Sequence, residues 1–460
     1  LTDMTENILG IDLGTSSVKL IFGKNGANIK AREGYSEISV DGWWDAICRA
    51  ARTMDLSEVR AIGLSSQVGT YIIDGGAVIG WNTGVGKEEL DAILSDIPRE
   101  VFIKEISMPH PSIISYPLPR LKHILSRYDG VKKICMPKDL ICERLTGSYV
   151  SDKFSWRGLT NLDTCRYSEY LLDYIGASDI LLPELREPTA LAGFVTAEAA
   201  AQTGIREGTP VYVGCNDFFS GTVGMGMCEV GDMFDITGTS EHLGIVESEI
   251  SDGDDGLVTG KYFFGNAHYG VTASSGKSLD FGGKLYPLRD IDAAAALANH
   301  PPVFLPYLCG ERAPIWDADA RGVFFGINAD TTPHDMAYAV MEGVAFSIYH
   351  IYECMGKPPA RVITIAGGAA KDNTLNLMKA SLFGVPVRTC AESDTSALGA
   401  QITAAVGFGF YPSIEKAIRG ICEYSAEIQP DAALGETLRR RYEIYKNLYP
   451  TLKNSFKSLK

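Results

Sequence analysis

The chain has 460 residues, more than a single hydrophobic core usually serves, so two or three domains are expected. Its 42 Lys and Arg stand against 57 Asp and Glu, a net charge of −15, which argues against nucleic acid as a partner because a phosphate backbone selects a basic face. With 45% hydrophobic and 22% charged residues the composition is that of a globular protein, and it excludes a disordered tail or a disulfide mini-domain.

The opening Leu1-Thr2-Asp3-Met4 has no basic stretch leading into an apolar run, so no signal peptide is expected. Asn7 to Gly14 reads as an apolar strand that stops at glycine, and Ser17 to Gly23 as a second strand. The two form a hairpin whose turn is Gly14-Thr15-Ser16. Residues 43–54 have the spacing of an amphipathic helix, and 61–66 the pattern of another strand. Residues 134–147 read as a loop followed by a helix that ends at Gly147. A second cycle begins near 211, with a strand that breaks at Gly214-Cys215-Asn216-Asp217. Phe234-Asp-Ile-Thr-Gly-Thr-Ser240 then repeats the plan of residues 9–16: apolar residues, an aspartate, and a Gly/Thr/Ser turn. A strand near 362 runs into Gly367-Gly368-Ala369, and helix formers fill 373–383. This echo predicts two similar α/β halves, residues 1–229 and 230–460, with Ser251 to Gly256 as an acidic surface loop.

No apolar run approaches the ~18 residues of a membrane span, so no membrane partner is expected. The ten cysteines are scattered, with no C-x-x-C pair and no Cys/His cluster at zinc spacing, which points to reduced thiols in a cytoplasmic protein.

Three Gly/Thr/Ser turns follow apolar strands: Gly14-Thr15-Ser16-Ser17, Thr237-Gly238-Thr239-Ser240 and Gly367-Gly368-Ala369. Such turns expose backbone N–H groups and hydroxyls and let phosphate approach the chain closely. Asp12, two residues before the first of these glycines, suits a Mg²⁺ ion held beside those phosphates. Neither the P-loop nor the dinucleotide-binding glycine spacing appears at these turns, so the phosphate site is of another kind.

Ile11-Asp-Leu-Gly-Thr-Ser-Ser-Val-Lys19 resembles the opening of the FGGY carbohydrate kinases, members of the actin, hexokinase and Hsp70-type superfamily. The likeness continues through Met136-Pro-Lys-Asp139, Gly214-Cys-Asn-Asp217 and Leu305 to Pro314, and ends with Ala366 to Ala370 and Ser396 to Ala400. The resemblance implies an α/β fold of two actin-like (ribonuclease H-like) domains flanking an active-site cleft. Sugar and catalytic base would belong to the N-terminal domain, and ATP with Mg²⁺ mainly to the C-terminal one. It assigns Asp217 as the base that takes the proton of the attacking sugar hydroxyl, with Asn216 helping to orient the substrate. Phosphoryl transfer needs such a base, in-line positioning and charge neutralisation more than covalent chemistry. It sets Thr15, Ser16, Ser17 and Lys19, with Gly14, against the phosphates. Gly238 and Thr239 would form the second phosphate turn, and Gly276, Gly368, Ala369 and Asn373 would border the nucleotide.

The sugar contacts depart from the family's usual pattern. Gln67-Val68-Gly69 stands where xylulose kinases usually show Gln-Met-His and glycerol kinases Gln-Arg-Glu. Val68 and Gly69 carry no polar group, and a site that reads hydroxyls loses much with such partners, which argues against glycerol. Trp81 is retained and offers a face on which a sugar stacks. Tyr71, Trp156 and Arg157 are the candidates for replacement contacts. Expected acceptors are ketopentoses such as xylulose, related ketoses, polyols and sugar acids. The altered contacts also motivate a second reading, a non-catalytic protein that senses sugar or nucleotide; the intact Asp12, Asp217 and three turns oppose it. Relatives often form homodimers, and nothing in this chain fixes an interface.

Overall fold

A computed structural model of the chain describes residues 7–23, 29–35, 37–111, 113–251 and 256–459. The opening residues 1–6 and the centre of the acidic loop expected at Ser251 to Gly256 lie outside them. The chain divides into two compact units: Leu1–Cys228 with Asp394–Glu423, and Glu229–Ser393 with Tyr424–Lys460.

The first unit is built on a six-stranded sheet. Ile8–Leu13, Ser17–Phe22 and Ile29–Gly34 form an antiparallel meander, and the Gly14 turn joins the first two, pairing Leu13 with Val18. On the other side of Ile8–Leu13 lie Ala61–Ser66 and Pro210–Asn216, both parallel to it, with Leu191–Phe194 antiparallel at the edge. The strands Ile8–Leu13 and Ala61–Ser66 are buried along their whole length, as parallel strands covered on both faces must be. Helix Val40–Arg52 covers one face. It starts three residues before the apolar spacing suggests, because the Ser39 side chain accepts from Gly42 N and caps it.

Helix Thr395–Gly407 covers the other face, so Asp394–Glu423 belongs to the first unit although a single cut near 230 assigns it to the second half. Close backbone approach explains the attachment. A Cβ at Gly63 would lie 1.9 Å from Ala400 O, and one at Gly399 would lie 1.8 Å from Ser220 O. Only glycines let this helix settle on the sheet and on helix Asp217–Gly224. The first unit also holds a second apolar cluster, packed around a small sheet of Tyr71–Ile73, Ala77–Ile79 and Ile134–Cys135 and the helices Pro117–Arg127 and Glu169–Ile175.

The second unit repeats the plan. Met233–Thr237, Glu241–Glu247, Gly265–Val271 and Val258–Tyr262 lie side by side in that order, each antiparallel to the next, so the last strand in sequence sits inside the edge strand, and Ile363–Gly367 and Val387–Thr389 run parallel to Met233–Thr237. Helices Pro333–Cys354, Asn373–Phe383 and Ala432–Phe456 build its core. In the last of these, Arg439 and Arg441 act as tethers. Arg441 grips the buried Glu342 carboxylate at 2.6 and 2.7 Å, and Arg439 donates to Ser381 O at 3.1 Å.

All ten cysteines are free. Among the described residues, no helix is long and apolar enough to cross a membrane.

Candidate active site

In the first unit the chemistry collects at the carboxyl ends of three parallel strands, the usual ligand-binding end of such sheets. Leu13 and Asn216 both pair with Ser66, so Asp12, Gln67 and Asp217 fall within one strand-end neighbourhood. Asp12 is 2% exposed, and its Oδ1 accepts from Ser65 Oγ at 2.9 Å. Lys19 Nζ stands 3.9 Å from Asp12 and 3.4 Å from Asp394. Burial raises the Asp12 pKa; Lys19 and the Ser65 hydroxyl oppose that rise, and the Asp394 charge adds to it. At the hairpin tip Thr15 and Ser16 are exposed and Gly14 N donates to Ser17 O at 3.0 Å. The Ser17 hydroxyl is buried and accepts from Arg32 Nε at 3.0 Å, so of the three hydroxyls it alone is committed inside the protein.

Asp217 is the first residue of helix Asp217–Gly224. The capping role falls to Asn216, whose Oδ1 accepts from Phe219 N at 2.9 Å while its Nδ2 donates to Phe154 O at 3.0 Å. Both polar ends of Asn216 are thus engaged, and what they do is hold the start of this helix and the carboxylate that follows. Asp217 Oδ1 accepts from Phe218 N at 2.9 Å. The side chain keeps a partly exposed face while protein packs closely around the rest. Desolvation, then the neighbouring Asp12 charge, push its pKa up to about 7, and Lys19 and backbone N–H groups restrain the rise. The exposed face limits that desolvation, and a carboxylate near neutrality is poised to accept a proton.

The segment expected to meet sugar divides in its behaviour. Val68 packs against the second apolar cluster. Gly69 has φ +80°, and a Cβ there would lie 2.9 Å from the Ser115 Cβ, so glycine is required by the turn. Gln67 is 2% exposed, and neither its Oε1 nor its Nε2 has a hydrogen-bond partner in the protein. Trp81 is partly exposed. Its loop is pinned by the fully buried Arg120, which donates to Gly80 O at 3.1 Å and to Thr83 Oγ1 at 2.5 Å. Of the three replacement candidates, Tyr71 spends its hydroxyl on Ser115 O at 3.0 Å, and Trp156 its Nε1 on Asp139 Oδ2 at 3.3 Å.

In the second unit, Gly238, Thr239, Gly276, Gly368, Ala369 and Asn373 line one pocket of about 760 Å³, a size that suits a small-molecule ligand. The turns that build it lock together. Thr237 Oγ1 donates to Ala366 O at 2.9 Å and accepts from Ala369 N at 3.0 Å, and Gly276 N donates to Gly238 O at 3.0 Å. A Cβ at Gly367, whose φ is +97°, would lie 1.9 Å from Thr237 O. Lys277, Arg289 and Lys371 also line the pocket and escaped sequence reasoning, since isolated surface cations carry no pattern. The buried Glu311 holds the start of the neighbouring helix by accepting from Ala273 N at 2.7 Å. Its pKa is pushed up to about 7 by burial.

Beneath the same turns, Lys379 is buried between Asp235, at 2.6 Å, and Glu241. This triad ties helix Asn373–Phe383 to the two strands that flank the Gly238 turn.

Two units of one α/β plan, one with a poised carboxylate and one with a glycine-lined pocket, define a phosphotransferase of the actin-like class. Residues 7–224 match the N-terminal domain, and residues 237–408 the C-terminal domain, of the FGGY family of carbohydrate kinases; the chain belongs to this family. It is 27% identical over 486 residues to the xylulose kinase of Escherichia coli (strain K12), covering 96% of this chain and 99% of that protein. The ligand-bound xylulose kinase of Lactobacillus acidophilus superposes with a TM-score of 0.85 at 22% identity, covering 98% of this chain and 99% of the other. The gluconate kinase of the same organism gives 0.84 at 21% identity, again over 98% and 99%. The protein is a sugar kinase that transfers phosphoryl from ATP to a sugar hydroxyl, and the non-catalytic reading finds no support among these relatives.

Proposed function

We propose that Asp217 is the general base, that the second unit's pocket takes ATP, and that the acceptor is a small ketose or a related polyhydroxylated compound. The observation that carries this reading is the Asp217 carboxylate, partly exposed at the carboxyl end of the parallel strands with its pKa near 7. Its role is to accept the acceptor's hydroxyl proton on a carboxylate oxygen as the oxygen attacks phosphorus. Gln67 and Trp81 are the contacts that position the sugar, and Asn216 acts by fixing Asp217. Xylulose is the first acceptor to test, because the Escherichia coli relative is a xylulose kinase.

The exposed Thr15 and Ser16, with Gly14 and Lys19, face the phosphates in this reading. Asp12 fits Mg²⁺: it is a buried carboxylate whose neighbouring cation stands 3.9 Å away, and Mg²⁺ usually takes one or two carboxylates with phosphate and water. Among the described residues there is no group of three ligating side chains, which suits an ion held largely by its nucleotide. Bound there, Mg²⁺ neutralises phosphate charge. The free thiols and the absence of a membrane-length helix among the described residues are compatible with work in the cytoplasm.

A coupled ADP-release assay over ketoses, polyols and sugar acids is expected to show saturable, sugar-dependent turnover. Traces that stay flat across the panel while nucleotide still binds contradict the assignment.

The pocket makes its own prediction. Gly368 faces open space, with nothing within 4 Å of an added Cβ. Gly368→Phe is expected to weaken ADP binding by at least about tenfold, a loss of ~1.4 kcal/mol, while the melting temperature holds. Unchanged calorimetric affinity would remove this pocket from nucleotide binding.

A further inference from the structure

The strand that delivers Asn216 and Asp217 is bulged. Tyr212 pairs with Gly63 and Cys215 with Ser65, so Pro210–Asn216 advances three residues while Ala61–Ser66 advances two. Gly214 sits in this bulge with φ +65°, and a Cβ there would lie 1.7 Å from Leu64 O. A bulge interrupts the ladder and re-aims the residues that follow it, which is why bulges gather beside active sites. The displaced backbone then needs a partner outside the ladder.

Lys138 supplies that partner. It is the second residue of helix Pro137–Thr146, it is 1% exposed, and its Nζ donates to Val213 O inside the bulge at 3.2 Å. The same Nζ lies 3.1 Å from Asp152 Oδ2 and 3.7 Å from Asp139 Oδ1. Burial alone would depress the Lys138 pKa; the Asp152 and Asp139 charges outweigh it, so the pKa is raised and the side chain stays a cation.

Asp152 carries the contact onward. Its Oδ1 accepts from Phe154 N at 2.8 Å and from Ser155 N at 2.9 Å, and its Oδ2 accepts from Ser155 Oγ at 2.5 Å. Phe154 O in turn accepts from Asn216 Nδ2 at 3.0 Å, and Asn216 Oδ1 caps the helix that begins at Asp217. The Phe154 and Phe219 rings pack with their centroids 5.0 Å apart. Two routes therefore run from one ammonium to one carboxylate. The first follows the strand from Val213 O to Asp217, and the second passes through Asp152, Phe154 and Asn216.

We infer that Lys138 is a positioning residue for the Asp217 carboxylate, acting through Val213 O on the bulged strand and through Asp152 on the helix cap. This rests on the reading of Asp217 as the base and deepens it. A base must stand within hydrogen-bond reach of the proton it takes, and a displacement of ~1 Å can cost about 10²-fold in rate. The polar partners of Lys138 are Val213, Asp152 and Asp139, none of which is proposed to hold ATP or sugar. Its loss should therefore fall on kcat rather than on KM.

The test is a mutant cycle read with whichever of D-xylulose, xylitol and D-gluconate the wild type turns over fastest. Lys138→Met alone strands the Asp152 charge in the interior and destabilises the protein. Lys138→Met combined with Asp152→Asn removes both charges and still offers an oxygen to Phe154 N and Ser155 N, so the kinetics are read on this pair. The paired variant is expected to lose about 10–100-fold in kcat, with KM for ATP and for the acceptor held. Asp152→Asn alone keeps the Val213 route and should lose less than the pair. In an Asp217→Asn background the pair should change residual turnover by less than about twofold, because the group it positions can no longer act.

Wild-type kcat in the paired variant overturns the inference and leaves Asp217 standing as the base. Equal losses in the wild-type and Asp217→Asn backgrounds also overturn it, since Lys138 would then act apart from Asp217. So does a raised KM for ATP with kcat intact. Wild-type kcat in Asp217→Asn itself sinks the reading of Asp217 as base, and the role of Lys138 with it.

Discussion

Asp217→Asn is expected to lower kcat by about 10²–10⁴-fold, the usual contribution of a positioned proton acceptor. An amide keeps the shape and still accepts from Phe218 N, so the helix start survives, but it cannot take a proton. Nucleotide affinity should hold, because the pocket proposed for the nucleotide is lined by residues of the other unit and Asp217 is not among the residues proposed to face the phosphates. The wild-type pH profile carries the same signature. With its pKa near 7, the carboxyl is protonated and inactive in acid, so kcat/KM should rise with pH through about 7 and then level. The stability sign is opposite. The folded-state pKa is raised above its ordinary 3.8, so the folded protein binds the proton more tightly than the unfolded chain does. Stability from this group is full below about 4 and is lost as pH rises toward 7. Asp217→Asn should therefore melt higher than wild type at pH 8 and no higher at pH 3.5. An Asn variant with wild-type kcat removes Asp217 from proton transfer.

The second large effect is structural. Lys379→Met is expected to destabilise the protein by about 3–5 kcal/mol, because removing one member of a buried ionic group leaves uncompensated charge behind. Lys379 is 1% exposed and serves both Asp235 and Glu241. Burial and the Glu241 charge raise the Asp235 pKa, and only the Lys379 ammonium and its hydrogen bond to Asp235 oppose them. Urea titration reads the loss as a lower midpoint. The triple replacement of Lys379, Asp235 and Glu241 by apolar residues of similar size should recover much of it, since charge rather than volume is at fault. A Lys379→Met midpoint equal to wild type would show that the triad contributes nothing to the Gly238 turn.

Local patterns carried most of what was readable in the chain. A strand that stops at glycine, then hydroxyls, is decided by neighbours in sequence; this is why the turns at Gly14, Gly238 and Gly368 stand out from the amino-acid order alone. Of the eleven residues that the family resemblance sets against the nucleotide, six, Gly238, Thr239, Gly276, Gly368, Ala369 and Asn373, line one pocket. The same kind of local pattern, a carboxylate after an apolar strand among small residues, marks Asp217, but only the family resemblance gives it the role of base.

What escaped depends on contacts far apart in the chain. The return of Thr395–Gly407 to the first unit rests on glycine approaches such as Gly399 to Ser220, which no window of sequence contains. The Lys379 triad joins residues more than 130 positions apart. Ser65 reveals itself only as the partner of Asp12. Tyr71, Trp156 and Arg157 are alike as sequence-level candidates for sugar contacts. Only the accounting of their hydrogen bonds separates them, with the first two spent inside the protein and Arg157 left without a partner.

The most direct test follows phosphorus itself. Wild-type protein is incubated with ATP, Mg²⁺ and each acceptor, and the products are read by phosphorus NMR. The account predicts one phosphorylated acceptor for each ADP formed, with no such product from Asp217→Asn. ADP accompanied by an equal amount of inorganic phosphate, at a rate no acceptor changes, would contradict it.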